Sequence, residues 1–335
     1  MEFGQLKRRE FLWLLGGAAA GRPLAAHAQQ KRVHQIGVLT PFGENDPGSA
    51  SFLAAFAQAL ADLGWIEGSN LRMHVRWAAG SIEQARRYAK ELVALQPDVI
   101  LVDSTPQTAA LQQETFTIPI IFVEVSDPVG SGFVASLSRP GGNITGFGNQ
   151  EPSLAGRWLG MLIELAPVVR RVAAIFNPDT APYVQSYYLP FFETAARTLK
   201  VEPITAMVRS DADIETVMAQ LAGKPDGGFV VMPDAFTFLH RGLIMALAAR
   251  GKIPGMYTLA LVVREGGLIA YCPDIPDLYR RAAAYIDRIL RGAKPAHLPV
   301  QMPVKFQTVV NAKTAKAIGL AIPPSIRLLA DEMIE

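Results

Sequence analysis

Cysteine is almost missing from this sequence, which has 1 Cys among 335 residues. A single cysteine cannot form a disulfide within the chain, so a fold held together by disulfides is excluded. The sequence also lacks the H-E-x-x-H and C-x-x-C motifs, a phosphate-binding P-loop and the G-x-S-x-G turn of serine hydrolases. Its few histidines stand far from other metal-ligating residues. These absences predict a protein that is not an enzyme and that uses no metal and no cofactor.

Long hydrophobic runs are also rare. The run Phe11–Ala20 is too short for a membrane span, which needs about 20 apolar residues. It lies between a basic segment and Ala26-His27-Ala28, an arrangement typical of a secretory signal peptide. The segment Arg8–Leu12 is similar to a twin-arginine export signal. We expect residues 1–28 to be a signal peptide cleaved after Ala28 and the protein to be periplasmic; an N-terminal amphipathic helix is the alternative.

Net charge and composition exclude two further classes. Without residues 1–28 the chain has 28 basic and 28 acidic residues, and no basic stripe remains that could neutralise phosphates, so no nucleic-acid partner is expected. The hydrophobic fraction of 50% excludes a disordered chain. A chain of this length predicts two domains, each with its own core.

Strand-like and helix-like segments alternate along the remaining sequence. The β-rich run Val33–Thr40 is followed by a helical pattern at Phe52, Phe56 and Leu60, and the alternation continues through the buried run Ile118–Val125. After a Gly- and Pro-rich segment the pattern starts again, with a crossover expected near residues 144–146. These features predict an α/β fold with two halves, each a parallel sheet covered by helices on both faces.

One segment imitates a cofactor motif. Gly130–Ala135 fits the G-x-G-x-x-A pattern of dinucleotide-binding proteins, but it follows the fourth predicted strand instead of the first. No strand ending in an acidic residue follows where a ribose would bind, so we expect no nucleotide there. Cys272 is predicted to be a packing residue; nearby acidic residues disfavour a reactive thiolate, which is the alternative.

Polar and aromatic residues stand at the predicted carboxyl ends of the strands, where open α/β sheets bind ligands. Each of the polar ones has a second interpretation, because Ser, Thr, Asp and Asn are also favoured helix caps. If the two sheets face each other, these residues line a cleft between domains, which is a common ligand site. The candidate ligand-binding residues are Thr40, Phe42, Ser104, Thr105, Ser126, Asp127, Asn177, Asp234, Phe236, Tyr257 and Tyr271.

Several blocks of this sequence resemble one family, the ABC-transporter substrate-binding proteins of the tryptophan/tyrosine type. These blocks are Gln35–Leu39, Asp127–Gly132, Leu137–Gly146, Asn177-Pro178 and Val310–Pro324. The resemblance covers about residues 32–335 and implies a type I periplasmic-binding-protein fold: two Rossmann-like lobes with parallel sheets, joined by three crossovers. It adds crossovers near residues 273 and 297, and so a first lobe of residues 32–145 and 274–296 and a second of 146–273 and 297–335.

The resemblance also implies a function and roles for the candidate residues. Such a protein captures a small solute, here an aromatic or hydrophobic amino acid, as a monomer that delivers it to an ABC permease. Ser104 and Thr105 would receive the carboxylate and Asp234 the ammonium group. Apolar walls would come from Phe42, Phe236 and Tyr257, while Ser126, Asp127 and Asn177 would line the lobes. Two features depart from the family pattern: Cys272, and the loop 43–46.

The main alternative is a sensory module that uses the same fold to signal to a membrane partner. The sequence does not separate sensing from transport. An exported enzyme lacks a catalytic constellation, and a transcriptional repressor would have a DNA-binding headpiece where this chain has the predicted signal peptide.

Overall fold

Strands and helices alternate along residues 32–335, which the computed structural model describes. The predicted signal peptide and its cleavage site lie outside the described residues. The strands are β1 (His34–Thr40), β2 (Leu71–Trp77), β3 (Val99–Asp103), β4 (Ile120–Val125), β5 (Ile144–Gly148), β6 (Arg171–Phe176), β7 (Glu202–Met207), β8 (Gly227–Val231), β9 (Gly255–Tyr257), β10 (Ile269–Pro273), β11 (Phe306–Asn311) and β12 (Glu332–Ile334).

The helices lie between these strands, and no helix among residues 32–335 combines the length and hydropathy needed to cross a membrane. A π-helical turn spans Val184–Tyr188 and a 3₁₀ turn spans Pro295–His297. The α-helices are α1 (Pro47–Asp62), α2 (Ile82–Ala94), α3 (Thr105–Glu114), α4 (Leu154–Leu165), α5 (Leu189–Leu199), α6 (Asp211–Ala222), α7 (Ala235–Leu239), α8 (Arg241–Gly251), α9 (Ala260–Arg264), α10 (Ile275–Leu290), α11 (Ala312–Ala317) and α12 (Pro324–Leu329).

Two sheets organise the described chain. The first sheet has the strand order β2-β1-β3-β4-β5, and all its pairs are parallel. The second has the order β12-β11-β10-β9-β8-β6-β7 and is parallel except between β10 and β11. Strands β3, β4 and β8 are buried along their whole length, as expected for parallel strands covered on both faces. The predicted α/β fold with two mostly parallel sheets is confirmed.

Helix α10 packs on the first sheet, although in the chain it directly follows β10 of the second sheet. It starts two residues after β10, and Asp274 caps it by accepting a hydrogen bond from the Asp277 N–H at 3.1 Å. Its apolar face packs against α1, β3, β4 and β5. The buried residues of this face include Leu278, Ala282, Tyr285, Ile286 and Ile289, which follow the spacing of an amphipathic helix.

Two crossovers lie later in the chain than the sequence suggests. Residues 144–146 are part of β5, because Ile144 and Thr145 pair with Ile120 and Ile121 of β4. The chain therefore leaves the first sheet only after Gly148. Near residue 297 the chain likewise stays with the first sheet, since Gln301 pairs with Phe147 and its N–H donates to the Gly146 carbonyl at 3.0 Å. Both segments look like loops in the sequence because glycine and proline interrupt them.

One predicted helix is also divided. The sequence predicts a helix over 183–199, whereas a π-helical turn occupies 184–188 and α5 begins at Leu189. Pro190 explains the change, because proline has no N–H to donate to the carbonyl four residues earlier and therefore favours the start of a helix over its interior.

Candidate ligand-binding site

A cavity lies between the carboxyl ends of the two sheets. Its volume is about 660 Å³ with the opening to solvent included, and about 60 Å³ for the part that the centre of a water-sized sphere can reach. Its lining comes from the ends of β1, β3, β4 and β5 in the first sheet, from the ends of β8 and β9 in the second, from helices α7, α8 and α9 and from the loop after β6: Pro41, Phe42, Asp103, Ser104, Glu124, Asn149, Gln150, Tyr183, Val231, Met232, Pro233, Asp234, Ala235, Thr237, Phe238, Arg241, Ile244, Tyr257, Thr258, Leu259 and Val262.

Aromatic rings form a large part of the wall. Phe42 follows β1 and meets Phe238 of α7 with a ring centroid distance of 5.0 Å, so the first and second sheets contribute to one apolar surface. Tyr257 ends β9 and is held edge to face by Phe229 at 5.6 Å. Tyr183 is fixed through its hydroxyl, which donates to the Pro233 carbonyl at 2.9 Å. These rings present flat apolar faces, which suit an apolar or aromatic ligand group.

Two buried carboxyl groups, Asp103 and Glu124, stand at the ends of neighbouring strands β3 and β4. Asp103 accepts a hydrogen bond from the Tyr279 hydroxyl of α10. Burial raises the pKa of Asp103 to about 7, although this hydrogen bond works in the opposite direction. Burial, and then the charge of Asp103, hold the pKa of Glu124 well above its usual range. The floor of the cavity is therefore a coupled acid pair that retains protons more readily than exposed carboxylates.

Replacing Asp103 with asparagine tests the burial of this carboxyl. Its pKa in the folded protein, about 7, lies above the ordinary value of 3.8, so the folded state binds the proton more tightly than the unfolded state. The stability that protonated Asp103 contributes is complete below pH 3.8 and is lost as the pH rises through about 7. We expect Asp103→Asn to leave the free energy of unfolding near pH 4 unchanged and to raise it at pH 8 by about 1–3 kcal/mol, measured by urea unfolding.

The matched control is Asp62→Asn, on the exposed end of α1, which should leave the pH dependence as in the wild type. The stability of the Asp103→Asn protein could instead fall from pH 4 to pH 8 as steeply as that of the wild type. That result would show that the Asp103 carboxyl titrates normally.

Two amide side chains follow β5 and face the cavity. Asn149 and Gln150 are 6% and 1% exposed, and their side-chain oxygens Asn149 Oδ1 and Gln150 Oε1 have no hydrogen-bond partner among residues 32–335. The Gln150 amide is oriented by its nitrogen, which donates to the Thr258 carbonyl at 3.2 Å. Buried acceptors without a donor are costly, so these oxygens mark a place where a ligand donor fits.

The one arginine of the lining, Arg241, already has partners. Its guanidinium group lies 2.9 Å from an Asp46 carboxylate oxygen and 2.6 Å from one of Glu265, and it covers the Phe238 ring at 4.2 Å from the centroid. Asp46 caps α1 beside the first sheet, whereas Arg241 begins α8 beside the second. Arg241 thus joins the two sides of the cavity, and its charge is balanced by residues outside the lining.

Four of the eleven candidate residues line the cavity: Phe42, Ser104, Asp234 and Tyr257. Asp234 is bonded mainly within its own sheet. Its carboxylate accepts hydrogen bonds from the backbone N–H groups of Asn177 at 2.9 Å and Phe236 at 3.0 Å, and from the Thr180 hydroxyl. These hydrogen bonds show that Asp234 caps α7. Helix capping was one of the two interpretations given above for such polar residues.

The other seven candidates lie outside the lining, because local contacts use their side chains. Thr40 accepts from the Phe42 N–H, Asp127 from the Gly130 N–H and the Thr105 hydroxyl from the Ser126 N–H, while the Ser126 hydroxyl bonds the Tyr188 hydroxyl. Asn177 accepts from the Asp179 N–H. Phe236 stacks on His240, and Tyr271 stacks on Phe306 and beneath Arg157.

The sequence analysis missed the most polar part of the lining: Asp103, Glu124, Asn149, Gln150, Tyr183, Arg241 and Thr258. The sequence contains an indication that two of these residues are functional. Asp103 and Glu124 are acidic residues within otherwise apolar strands, and a carboxyl in such a position is rarely buried without a purpose. Asn149 and Gln150 gave no signal, because they follow a strand that the sequence does not predict.

Cys272 is free and buried in β10, and burial raises the pKa of its thiol to about 12. A thiol with so high a pKa carries almost no thiolate at neutral pH, in agreement with a packing role. Among residues 32–335 no group of three or more His, Cys, Asp or Glu side chains is arranged to hold a metal ion.

Two mostly parallel sheets whose carboxyl ends meet at a cavity match the type I periplasmic-binding-protein architecture. Comparison with known families agrees: residues 36–334 match the family described as ABC transporter substrate binding protein. The chain belongs to this family, which is extracytoplasmic, and is a solute-binding protein. The family implies a small-molecule ligand and an ABC permease as partners.

Individual relatives are consistent with this assignment. A tyrosine-binding protein of Clostridioides difficile (strain R20291) is 25% identical over 265 residues, which cover 79% of this chain and 75% of the relative. A Streptococcus pneumoniae ABC domain, solved in complex with L-Trp, is 25% identical with a TM-score of 0.82 and covers 90% of this chain and 99% of that one. A conserved domain protein of Vibrio cholerae has a TM-score of 0.83 and 25% identity over 90% of this chain and 100% of its own.

Proposed function

We propose that this protein captures one small solute of the amino-acid type, with an apolar or aromatic side chain, and delivers it to an ABC permease. The observation that carries the proposal is the cavity between the two sheets, whose walls are aromatic and whose floor is polar. The tyrosine-binding relative and the L-Trp complex support this class of ligand.

Capture works by closure of two lobes. We assign residues 34–148 and 275–302 to the first lobe and residues 149–273 and 303–335 to the second, following the sheets to which these segments belong. The loops of the two lobes touch around the cavity through Phe42 with Phe238 and through Asp46 with Arg241. A ligand that contacts both lobes favours this arrangement, since only a difference in affinity between two conformations shifts their populations.

The protein acts in the periplasm in this proposal, as a monomer that is exported by its twin-arginine-like segment and cleaved after Ala28. The basic segment, the apolar run and the A-x-A site support export.

A thermal-shift screen tests the proposal. We expect an L-amino acid with an apolar side chain to stabilise the protein by about 2.7 kcal/mol at a concentration of 100 times its Kd. For a chain of about 300 residues this corresponds to a rise in Tm of about 4 °C. The panel contains amino acids, small acids, amines and sugars, and a melting temperature that none of them moves would refute solute capture.

A pair of variants locates the response. Phe42→Leu alters the aromatic wall and should weaken binding about tenfold, because ring contacts contribute roughly 0.5–1.5 kcal/mol beyond their buried area. Phe116→Leu is the matched control, since Phe116 is 78% exposed and lies outside the lining. Equal effects of the two variants would place the ligand elsewhere.

A further inference from the structure

We propose that the positively charged group of the ligand is bound by Glu124, together with Asn149 Oδ1 and Gln150 Oε1, so that an amino group is required for binding and a carboxylate is not. This inference rests on the proposed function and names the ligand class of the same cavity. It also moves the expected ammonium partner from Asp234 in the second sheet to Glu124 in the first.

The backbone directs Glu124 into the cavity. The pairing of β4 with β5 changes register between Phe122 and Val125, and Glu124 has a left-handed φ of 54° within this irregularity. A bulge of this kind redirects one side chain of a strand, and left-handed geometry in a non-glycine residue costs about 1–3 kcal/mol. A residue that only filled the core would sit in regular strand geometry. The strain therefore points to a functional side chain.

The carboxylate and the amide oxygens form a set of acceptors that lacks donors. No side-chain hydrogen bond of Glu124 is found within residues 32–335, and Asn149 Oδ1 and Gln150 Oε1 are buried without partners. The hydrogen bond from Gln150 Nε2 to the Thr258 carbonyl fixes which end of that amide faces the cavity. An ammonium group brings three N–H donors and a positive charge, and so matches these three groups.

The charges of the lining select a cation. Three carboxyl groups line the cavity, those of Asp103, Glu124 and Asp234, whereas its single cation Arg241 is paired with Asp46 and Glu265. The binding of a ligand carboxylate would be unfavourable beside this excess of hydrogen-bond acceptors. Ser104, where the family resemblance places a ligand carboxylate, donates its hydroxyl hydrogen to the Gln107 side chain instead.

Proton release accompanies cation binding in this scheme. Glu124 faces Asp103 from β3, Tyr279 from α10, Cys272 from β10 and Tyr183 from the second sheet, and burial with the Asp103 charge raises its pKa. Burial favours the protonated form of this acid pair, so an arriving ammonium group, which favours the carboxylate, displaces a proton. Affinity for an amine should therefore rise as the pH rises, while affinity for a neutral ligand should not.

Isothermal titration with matched ligands tests the inference on the unaltered protein. The probes are L-tryptophan and L-tyrosine, the amines tryptamine and tyramine, and the acids 3-indolepropionate and 3-(4-hydroxyphenyl)propionate. Loss of the amino group should weaken binding about 100-fold, the size expected when a buried charged partner is removed, whereas loss of the carboxylate should weaken it less than tenfold. Buffers of different ionisation enthalpy report the proton released.

Glu124→Gln gives a second, independent test. It keeps the shape of the side chain and removes a buried charge, so the protein should fold with an unchanged or higher Tm. It should weaken the binding of tryptamine and L-tryptophan about 10- to 100-fold, reduce the pH dependence and leave the binding of 3-indolepropionate unchanged or tighter. A purely structural role would change the binding of all three ligands alike. Glu151→Gln, at an exposed carboxylate next to the lining, is the control.

The outcomes separate this inference from the proposed function. If the acids or sugars bind as tightly as the amines, or if Glu124→Gln binds amines normally, the inference fails and solute capture stands. If none of the solutes binds, both fail.

Discussion

Gly146→Ala is expected to lower the free energy of unfolding by about 3 kcal/mol or more. Gly146 lies in β5 with a φ of 154°, and a Cβ atom there would stand 2.1 Å from the Phe122 carbonyl oxygen and 2.6 Å from the Phe122 nitrogen. Backbone atoms cannot turn aside as a flexible side chain can, so β5 must separate from β4. Chemical denaturation followed by circular dichroism measures the loss, and Tm should fall by about 5–10 °C.

The control for this prediction is Gly142→Ala, four residues earlier. A Cβ at Gly142 meets nothing within 4 Å, and the residue is exposed, so the change should alter stability by less than about 0.5 kcal/mol. Gly146→Ala should also weaken amine binding, because Glu124 lies in the register irregularity that faces Gly146. A Gly146→Ala protein as stable as the control would mean that β4 and β5 are not so closely paired.

Arg241→Met is expected to weaken ligand binding at least tenfold and to lower stability by about 3 kcal/mol. The guanidinium group is 13% exposed and pairs with Asp46, which is 11% exposed, and with Glu265. Its removal leaves two carboxylates without their cation, and it removes a contact that exists only while the two lobes meet. Calorimetric Kd values and the radius of gyration from small-angle scattering, with and without ligand, measure both effects.

Arg264→Met is the matched control for this variant. Arg264 also bonds a carboxylate, Glu332, at 2.6 Å, but both side chains are well exposed and belong to the second sheet and its helices. Exposed ion pairs contribute about 0–1 kcal/mol, so this variant should bind ligand normally. Equal losses in the two variants would indicate a general effect of arginine removal and not a latch between lobes.

The fold could be predicted from local sequence wherever one element carries its own pattern. Apolar runs at β3 and β4 and the amphipathic stripe of α10 are examples, because burial on both faces or on one face leaves a periodic signature. Strand β5 was missed, since Gly146 and Gly148 dilute its signal and its position depends on pairing with β4. Strand β11 was not predicted either, because its position depends on antiparallel pairing with β10, which lies more than 30 residues earlier in the chain.

The site was less predictable than the fold. Residues directly after a strand, such as Phe42 and Ser104, could be located because the carboxyl edge of a parallel sheet is fixed by its topology. The role of Glu124 could not be predicted, because the orientation of its side chain depends on a backbone irregularity. That irregularity arises only when β4 pairs with β5. Asp234 shows the reverse case: it lines the cavity, but its oxygens are occupied by N–H donors of its own sheet and helix.

The contact of α10 with the first sheet has a consequence for the order in which this protein folds. Strands β1 to β5 end at Gly148, but the helix that covers one face of that sheet is made of residues 275–290, so more than 120 residues must be synthesised in between. An unfinished chain on the ribosome exposes the apolar surface that Leu278, Ala282 and Ile286 later bury. The first sheet therefore receives this helix only after most strands of the second sheet have been made, and a fragment cut after Gly148 lacks part of its own core.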